Sequence, residues 1–179
     1  MKSQKSFTLI ELLVAVMIFS LIGGIAAGVF TTGLRAQRKS LASQEILSQT
    51  SYLMEYISRA LRMARKDING ACIDPKLNYK IVDNGIEFLN YKGECQRFYL
   101  DGTQLKERKR NIASGVISVS ELTSTDLQVN HFNIGPDDSW DQNDNDQPRV
   151  TFFLEIRSKE QSKIKIQTTV SQRNPDIEK

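Results

Sequence analysis

Few residues in this chain have the type and spacing to do chemistry, and the most conspicuous is a single carboxylate. Glu11 is the only charged residue between positions 7 and 34. A carboxylate in an apolar run costs a few kcal/mol at mid-bilayer on insertion scales, so it calls for a cationic partner or for an interfacial position to which it can snorkel. Cys72 and Cys95 are the only cysteines and His131 the only histidine, too few for the four ligands of a structural zinc. Asp137, Asp138, Asp141, Asp144 and Asp146 could gather oxygen ligands around calcium, with Asp141, Asp144 and Asp146 as the candidate core. They fail the EF-hand pattern, because Asp146 stands where Gly is needed and Phe152 where the bidentate Glu belongs, so a solvated loop is the reading preferred and no metal is expected. Lys106-Glu107-Arg108-Lys109-Arg110 could meet a polyanion. Lacking aromatic stacking partners, it reads better as a charged edge strand that blocks aggregation, and nucleic acid is not expected as a partner. His131 reads as an ordinary strand residue, and Trp140 as an anchor for its loop or a contact to a neighbour.

The elements that must position these groups follow from charge and periodicity. Of 24 Lys and Arg and 21 Asp and Glu, only Lys2, Lys5 and Glu11 precede Arg35, although the whole chain of 179 residues has net charge +3 and mean hydropathy −0.36. No Gly-rich phosphate loop, His-Glu-x-x-His or Gly-x-Ser-x-Gly occurs, so an enzyme is not expected and no cofactor is implied. Leu12 to Leu34 is uncharged and as a helix would extend about 34 Å, enough for a hydrocarbon core of roughly 30 Å. Flanking positive charge does not orient it, since Lys2 and Lys5 precede the span and Arg35, Arg38 and Lys39 follow it. Gly24 and Gly28 form a Gly-x-x-x-Gly pair that would let helices approach closely, unless it is chance in an Ala/Gly-rich span.

The run Lys5-Ser6-Phe7-Thr8-Leu9-Ile10-Glu11-Leu12-Leu13 resembles the class III leader of type IV prepilins and type II secretion pseudopilins. The resemblance implies cleavage between Ser6 and Phe7, methylation of the new Phe7 amine, and a role in assembly for Glu11 as fifth residue of the mature chain. Ser6 stands where that family nearly always has Gly. It also implies a leader in the cytoplasm, a single pass of the inner membrane, a head outside the cytoplasm, and later residence in a filament. Implied partners are a prepilin peptidase/methyltransferase, other pilins or pseudopilins, an inner-membrane assembly platform and the membrane itself. The function so implied is that of a structural subunit, minor in kind, of a type IV pilus or a type II secretion pseudopilus. The alternative is a membrane-tethered extracellular binding module, such as a competence DNA receptor or an adhesin.

Beyond the span, Ile46, Leu53, Ile57, Ala60, Leu61, Ala64 and Ile68 recur at threes and fours, one stripe of a helix, with Gly70 as C-terminal cap. The expected division is a leader over 1–6, a membrane or filament-core helix over 7–34, an amphipathic continuation over 35–69 and a β head over 70–179. Asn84-Gly85 and Asp101-Gly102 signal hairpins between Tyr79–Val82, Ile86–Tyr91 and Cys95–Leu100. Val150–Ile156 and Ile164–Val170 alternate clearly, whereas Ile112–Val119 and Leu127–Ile134 are weaker, the latter with a phase change near His131 that predicts a bulge. The predicted fold is α+β and pilin-like, a long N-terminal helix on an antiparallel sheet, with a coiled-coil stalk as the competing use of the stripe. A head outside the cytoplasm makes a Cys72–Cys95 disulfide the expectation, with two buried free thiols as the alternative.

Overall fold

The computed structural model describes residues 8–140, 147–159 and 162–173. They form one long helix, α1 (Leu9–Arg62), and eight strands: β1 (Lys80–Val82), β2 (Gly85–Leu89), β3 (Glu94–Asp101), β4 (Gln104–Asn111), β5 (Ile117–Glu121), β6 (Leu127–Gly135), β7 (Arg149–Ser158) and β8 (Lys163–Ser171). All pairings are antiparallel, in a five-stranded sheet β1-β2-β3-β4-β5 and a three-stranded sheet β6-β7-β8. The chain divides into two compact units, Met1–Leu41 and Ala42–Lys179, and α1 contributes to both.

In the second unit the helical stripe does what its spacing requires. Ile46, Thr50, Leu53, Ile57 and Leu61 are buried at intervals of three and four residues, and they enter one apolar core with Phe88 of β2, Phe98 of β3, Leu105 of β4, Val129 of β6 and Phe152 of β7. Both sheets therefore share this core. Tyr56 meets the edge of Phe98, Phe98 lies against Phe88, Phe88 against Tyr79, and Tyr79 against Trp140 at 5.5 Å between centroids. Trp140 is thus a core residue that anchors its loop: its indole N–H donates to the Arg149 carbonyl (2.7 Å). The phase change in β6 is a register shift between Val129 and His131, which lets Val129 and Phe132, three residues apart, both face inward while His131 stays exposed.

Four expectations are corrected. The helix ends at Arg62 rather than Asn69, because long-range partners take the backbone that follows: the Arg65 N–H donates to Leu89 O (2.8 Å) and the Asp67 N–H to Leu77 O (3.0 Å). Ile68 is consequently exposed, and Gly70 is no helix cap. Gly70 sits at φ +69° in the loop around Asp67, where an added Cβ would lie 2.8 Å from Pro75 Cγ. The last carbonyls of α1 are instead satisfied from far along the chain, Leu61 O by the Tyr79 hydroxyl (2.7 Å) and Arg62 O by the Arg173 N–H (2.8 Å), while just beyond the helix Ala64 O accepts from Gln172 Nε2 (2.9 Å). Second, Lys106–Arg110 is not an edge: β4 pairs with β3 on one side and β5 on the other. Third, the strand expected over Ile112–Val119 is displaced, with 112–116 turning and β5 starting at Ile117. The first hairpin also turns one residue earlier than its Asn-Gly suggests. Val82 pairs with Gly85, leaving Asp83 (φ 50°) and Asn84 as the turn. Gly85 is required for a different reason, because a Cβ there would come within 2.1 Å of Phe98 O.

Candidate functional site

Among the described residues, the candidate sites lie at the start of α1 and at the strands beside its end. At the start, Thr8 and Glu11 bond reciprocally. The Thr8 N–H and hydroxyl each donate to Glu11 Oε2 at 2.9 Å, and the Glu11 N–H approaches Thr8 Oγ1 at 3.4 Å. Thr8 is the residue before the helix and Glu11 its third residue, so the pair is a capping box that satisfies donors the first turn leaves free. Sequence reasoning passed over this role, although Thr8-x-x-Glu11 is its signature. From Leu9 to Leu34 every large apolar side chain is exposed, from Leu34 at 41% to Leu9 at 80%. Hydroxyls in the same stretch turn back on the helix: Ser20 donates to Val16 O (2.8 Å), and Thr31 and Thr32 both donate to Gly28 O (3.0 and 2.8 Å). They leave an outward surface that is apolar apart from Glu11. By length and composition α1 can cross a membrane. A Cβ added at Gly24 or Gly28 meets nothing within 4 Å, so neither glycine is required by contacts inside the chain.

Ser6 and Phe7, where cleavage and methylation are expected, lie outside the described residues, as do Asp141, Asp144 and Asp146. Of the remaining acidic loop residues, Asp137 and Asp138 are exposed and Asp138 stands 3.9 Å from Arg149.

At the other place, Cys72 and Cys95 are joined in a disulfide with Cα atoms 5.3 Å apart, tying the loop after α1 to the start of β3. The same loop is wrapped around Asp67, 2% exposed, whose carboxylate accepts the N–H groups of Cys72 (2.6 Å), Ile73 and Ala71 (both 3.0 Å). Burial alone would raise the Asp67 pKa, but these donors together with the Gly70 amide outweigh it and hold the carboxyl below its ordinary range. On β4, buried Glu107 accepts from Tyr56 OH (2.8 Å), Gln96 Nε2 (2.6 Å) and Lys109 Nζ (2.8 Å). Tyr56, Gln96 and Lys109 of this network line a cleft of about 400 Å³ together with Ala60 and Met63. Burial pushes the Tyr56 phenol up; Lys109, which burial would lower, is held above its usual range by Glu107 and Tyr56. Both shifts carry titration further from pH 7, so the phenol stays neutral and the ammonium charged, and the cluster fastens β4 to α1 rather than moving protons. That explains how a run reading Lys-Glu-Arg-Lys-Arg can lie inside a sheet: Glu107 is neutralised on the core side, and on the opposite face Arg108 pairs with Glu87 (3.1 Å) and Lys106 with Asp101 (2.9 Å).

Residues 1–27 match the prokaryotic N-terminal methylation motif. This class III prepilin motif overlaps the start of a long helix that packs on antiparallel sheets, an α+β, pilin-like fold. Such a leader implies processing by a prepilin peptidase, assembly with pilins, and a membrane-anchored stage before the filament. No curated protein and no solved structure matches the chain.

Proposed function

We propose that this chain is a minor structural subunit of a type IV pilus or of a type II secretion pseudopilus. In this reading residues 1–6 are removed before Phe7, the Phe7 amine is methylated, residues 7–34 leave the inner membrane to join the filament core, and the head faces outward from it. The observation that carries the proposal is the conjunction of the methylation motif over residues 1–27 with a stretch, Leu9–Leu34, that is wholly apolar on its outside except for Glu11. A surface of that kind is stable in lipid or among like helices and nowhere else.

Glu11 carries assembly. Cleavage leaves a cation on Phe7, which must be buried among apolar helices when the subunit is added. Pairing it with the Glu11 carboxylate of a neighbour offsets the desolvation of both charges and sets the axial register, since a slip of one helical turn separates them by about 5 Å. Within the single chain the same carboxylate is occupied by Thr8, so exchange of the Thr8 bonds for the amine accompanies docking. Gly24 and Gly28, open on the helix surface, allow close packing of neighbouring helices. The test is the intact mass of the membrane-extracted protein. A mature chain beginning at Phe7 with one added methyl is expected, and one that retains Met1 overturns the reading.

A further inference from the structure

The edges of the two sheets are not protected alike. On the first sheet β1 offers only three residues. On the second, β8 carries Lys163 and Lys165, whose ammonium groups both sit on Glu155, a charged rim of the kind that discourages pairing. By contrast β5, Ile117-Ser118-Val119-Ser120-Glu121, has no lysine, proline or bulge, and all five residues are exposed. Ile112, Val116, Ile117 and Val119 make its neighbourhood apolar, each between 42% and 65% exposed.

The free hydrogen-bonding groups of β5 can be identified. The Leu122 N–H donates to Leu105 O, and the Asn111 N–H to Val116 O, so the even-numbered residues of β5 point their backbone at β4. Antiparallel alternation then directs the N–H and C=O of Ile117, Val119 and Glu121 away from the sheet. We propose that this edge pairs with β5 of a second copy, antiparallel and centred on Val119, to join the two five-stranded sheets into one.

The register follows from the residues. With Val119 opposite the partner's Val119, Ile117 falls opposite the partner's Glu121 on either side, and all six outward backbone groups of each strand find partners. On the helix-side face Ser118 comes opposite the partner's Ser120, twice, where hydroxyls can bond across the strands. On the other face the partner's Glu121, which in its own chain lies 4.0 Å from Lys106, enters the row of Arg110 beyond Ile117, and a carboxylate is thereby added to the row of a cation whose described hydrogen bonds go to the Ala71 carbonyl and to Cys95 Sγ. A register shifted by one residue would set each outward N–H and C=O opposite a residue whose own groups point back into its sheet, leaving them unpaired. Edges of this length bury less than the roughly 1,000 Å² that holds a stable dimer in solution. The contact therefore belongs to heads already concentrated by their N-terminal helices, and in that respect alone it rests on the anchoring described above.

Pairing of this kind is read by site-specific cross-linking in full-length, membrane-inserted chains. Ser118 and the partner's Ser120 form a non-hydrogen-bonded pair with Cα atoms about 4.5 Å apart, within disulfide reach, whereas two copies of residue 118 lie about 7–8 Å apart, outside it. Co-expression of Ser118→Cys and Ser120→Cys chains bearing different tags should give the mixed disulfide-linked pair on oxidation, at least about tenfold above either variant expressed alone. Val119→Pro added to both chains should abolish it while the head melts as before, because the amide it removes faces solvent in the single chain. No cross-link, equal cross-linking in all three cultures, or an adduct with a different protein overturns the proposal. Chains that lose their leader and enter filaments without cross-linking overturn this inference alone. Chains that cross-link yet keep Met1 overturn the filament-subunit reading and leave this one standing.

Discussion

Leu13 and Leu53 lie on one helix and are treated oppositely: the first is 58% exposed and the second fully buried. The N-terminal part of α1 is apolar on all sides, packs on nothing in its own unit, and turns its hydroxyls back onto its own carbonyls. The part from Ile46 to Leu61 is apolar along one stripe, and that stripe is buried against two sheets. A helix apolar all round needs a solvent supplied from outside, whereas an amphipathic one needs a partner supplied by its own chain. The difference teaches where each kind of substitution should be felt. Changes in residues 9–34 should alter insertion and assembly and leave head stability alone, and changes in residues 46–61 should do the reverse.

The hardest break in this contrast is at Glu11. Glu11→Ala should insert, be processed and fold its head, yet enter filaments at least about tenfold less, since an unpaired charge among apolar helices costs a few kcal/mol. Glu11→Gln separates its two roles, because an amide can still cap Thr8 but cannot neutralise an amine. Filament yield by immunoblot of sheared material should be equally low for both. Normal yield for Gln with loss for Ala would make Glu11 a cap only.

Core truncations test the other side. Leu53→Ala and Phe98→Ala should lower head stability by about 2–5 kcal/mol, whereas Leu13→Ala and Ile18→Ala should leave the denaturation midpoint of the head unchanged. Equal effects from the two sets would erase the distinction.

Within the head, the paired substitution Cys72→Ser and Cys95→Ser opens a loop of sequence separation 23 and should cost roughly 3 kcal/mol in chemical denaturation. Asp67→Asn keeps the shape but weakens three charge-assisted bonds, at about 2 kcal/mol. Because the Asp67 pKa is lowered by folding, its contribution is complete above the unfolded carboxylate range near about 4 and is lost as pH falls from there through the folded value. The Asn variant should therefore show a flatter loss of stability below pH 4 than the parent.

The smallest effect is expected at Glu155. The Lys163 ammonium lowers its pKa most, burial opposes, and Asn130 and Lys165 add to the lowering, so the group sits at about 2 against an ordinary 4.5. Its stabilisation is thus present above pH 4.5 and fades toward pH 2. Lys163→Gln with Lys165→Gln should move the carboxyl signal upward in an NMR titration, with little change in midpoint at pH 7, because the two ammonium groups, 38% and 58% exposed, are well solvated.

What was legible in the sequence was whatever depends on near neighbours. The apolar run with its lone Glu11, the stripe Ile46–Leu61, the alternation of β7 and β8, the bulge near His131 and the presence of two hairpins all follow from spacings of a few residues, and the Thr8-x-x-Glu11 cap could have been read the same way. Pairing of Cys72 with Cys95 was accessible by elimination together with the compartment. Tertiary structure alone decided what depends on distant partners. Helix α1 stops at Arg62, although its periodicity runs on to Ile68, because Leu89, Leu77, Gln172 and Arg173 claim the backbone groups there. Lys106–Arg110 becomes an inner strand because Tyr56 and Gln96 arrive from other elements to hydrogen-bond Glu107 while Glu87 and Asp101 neutralise Arg108 and Lys106, and Trp140 becomes core because Tyr79 and the Arg149 carbonyl receive it. Local sequence sets periodicity and turn chemistry; burial and long-range hydrogen bonds, each worth about as much as several local propensities, choose where those patterns end.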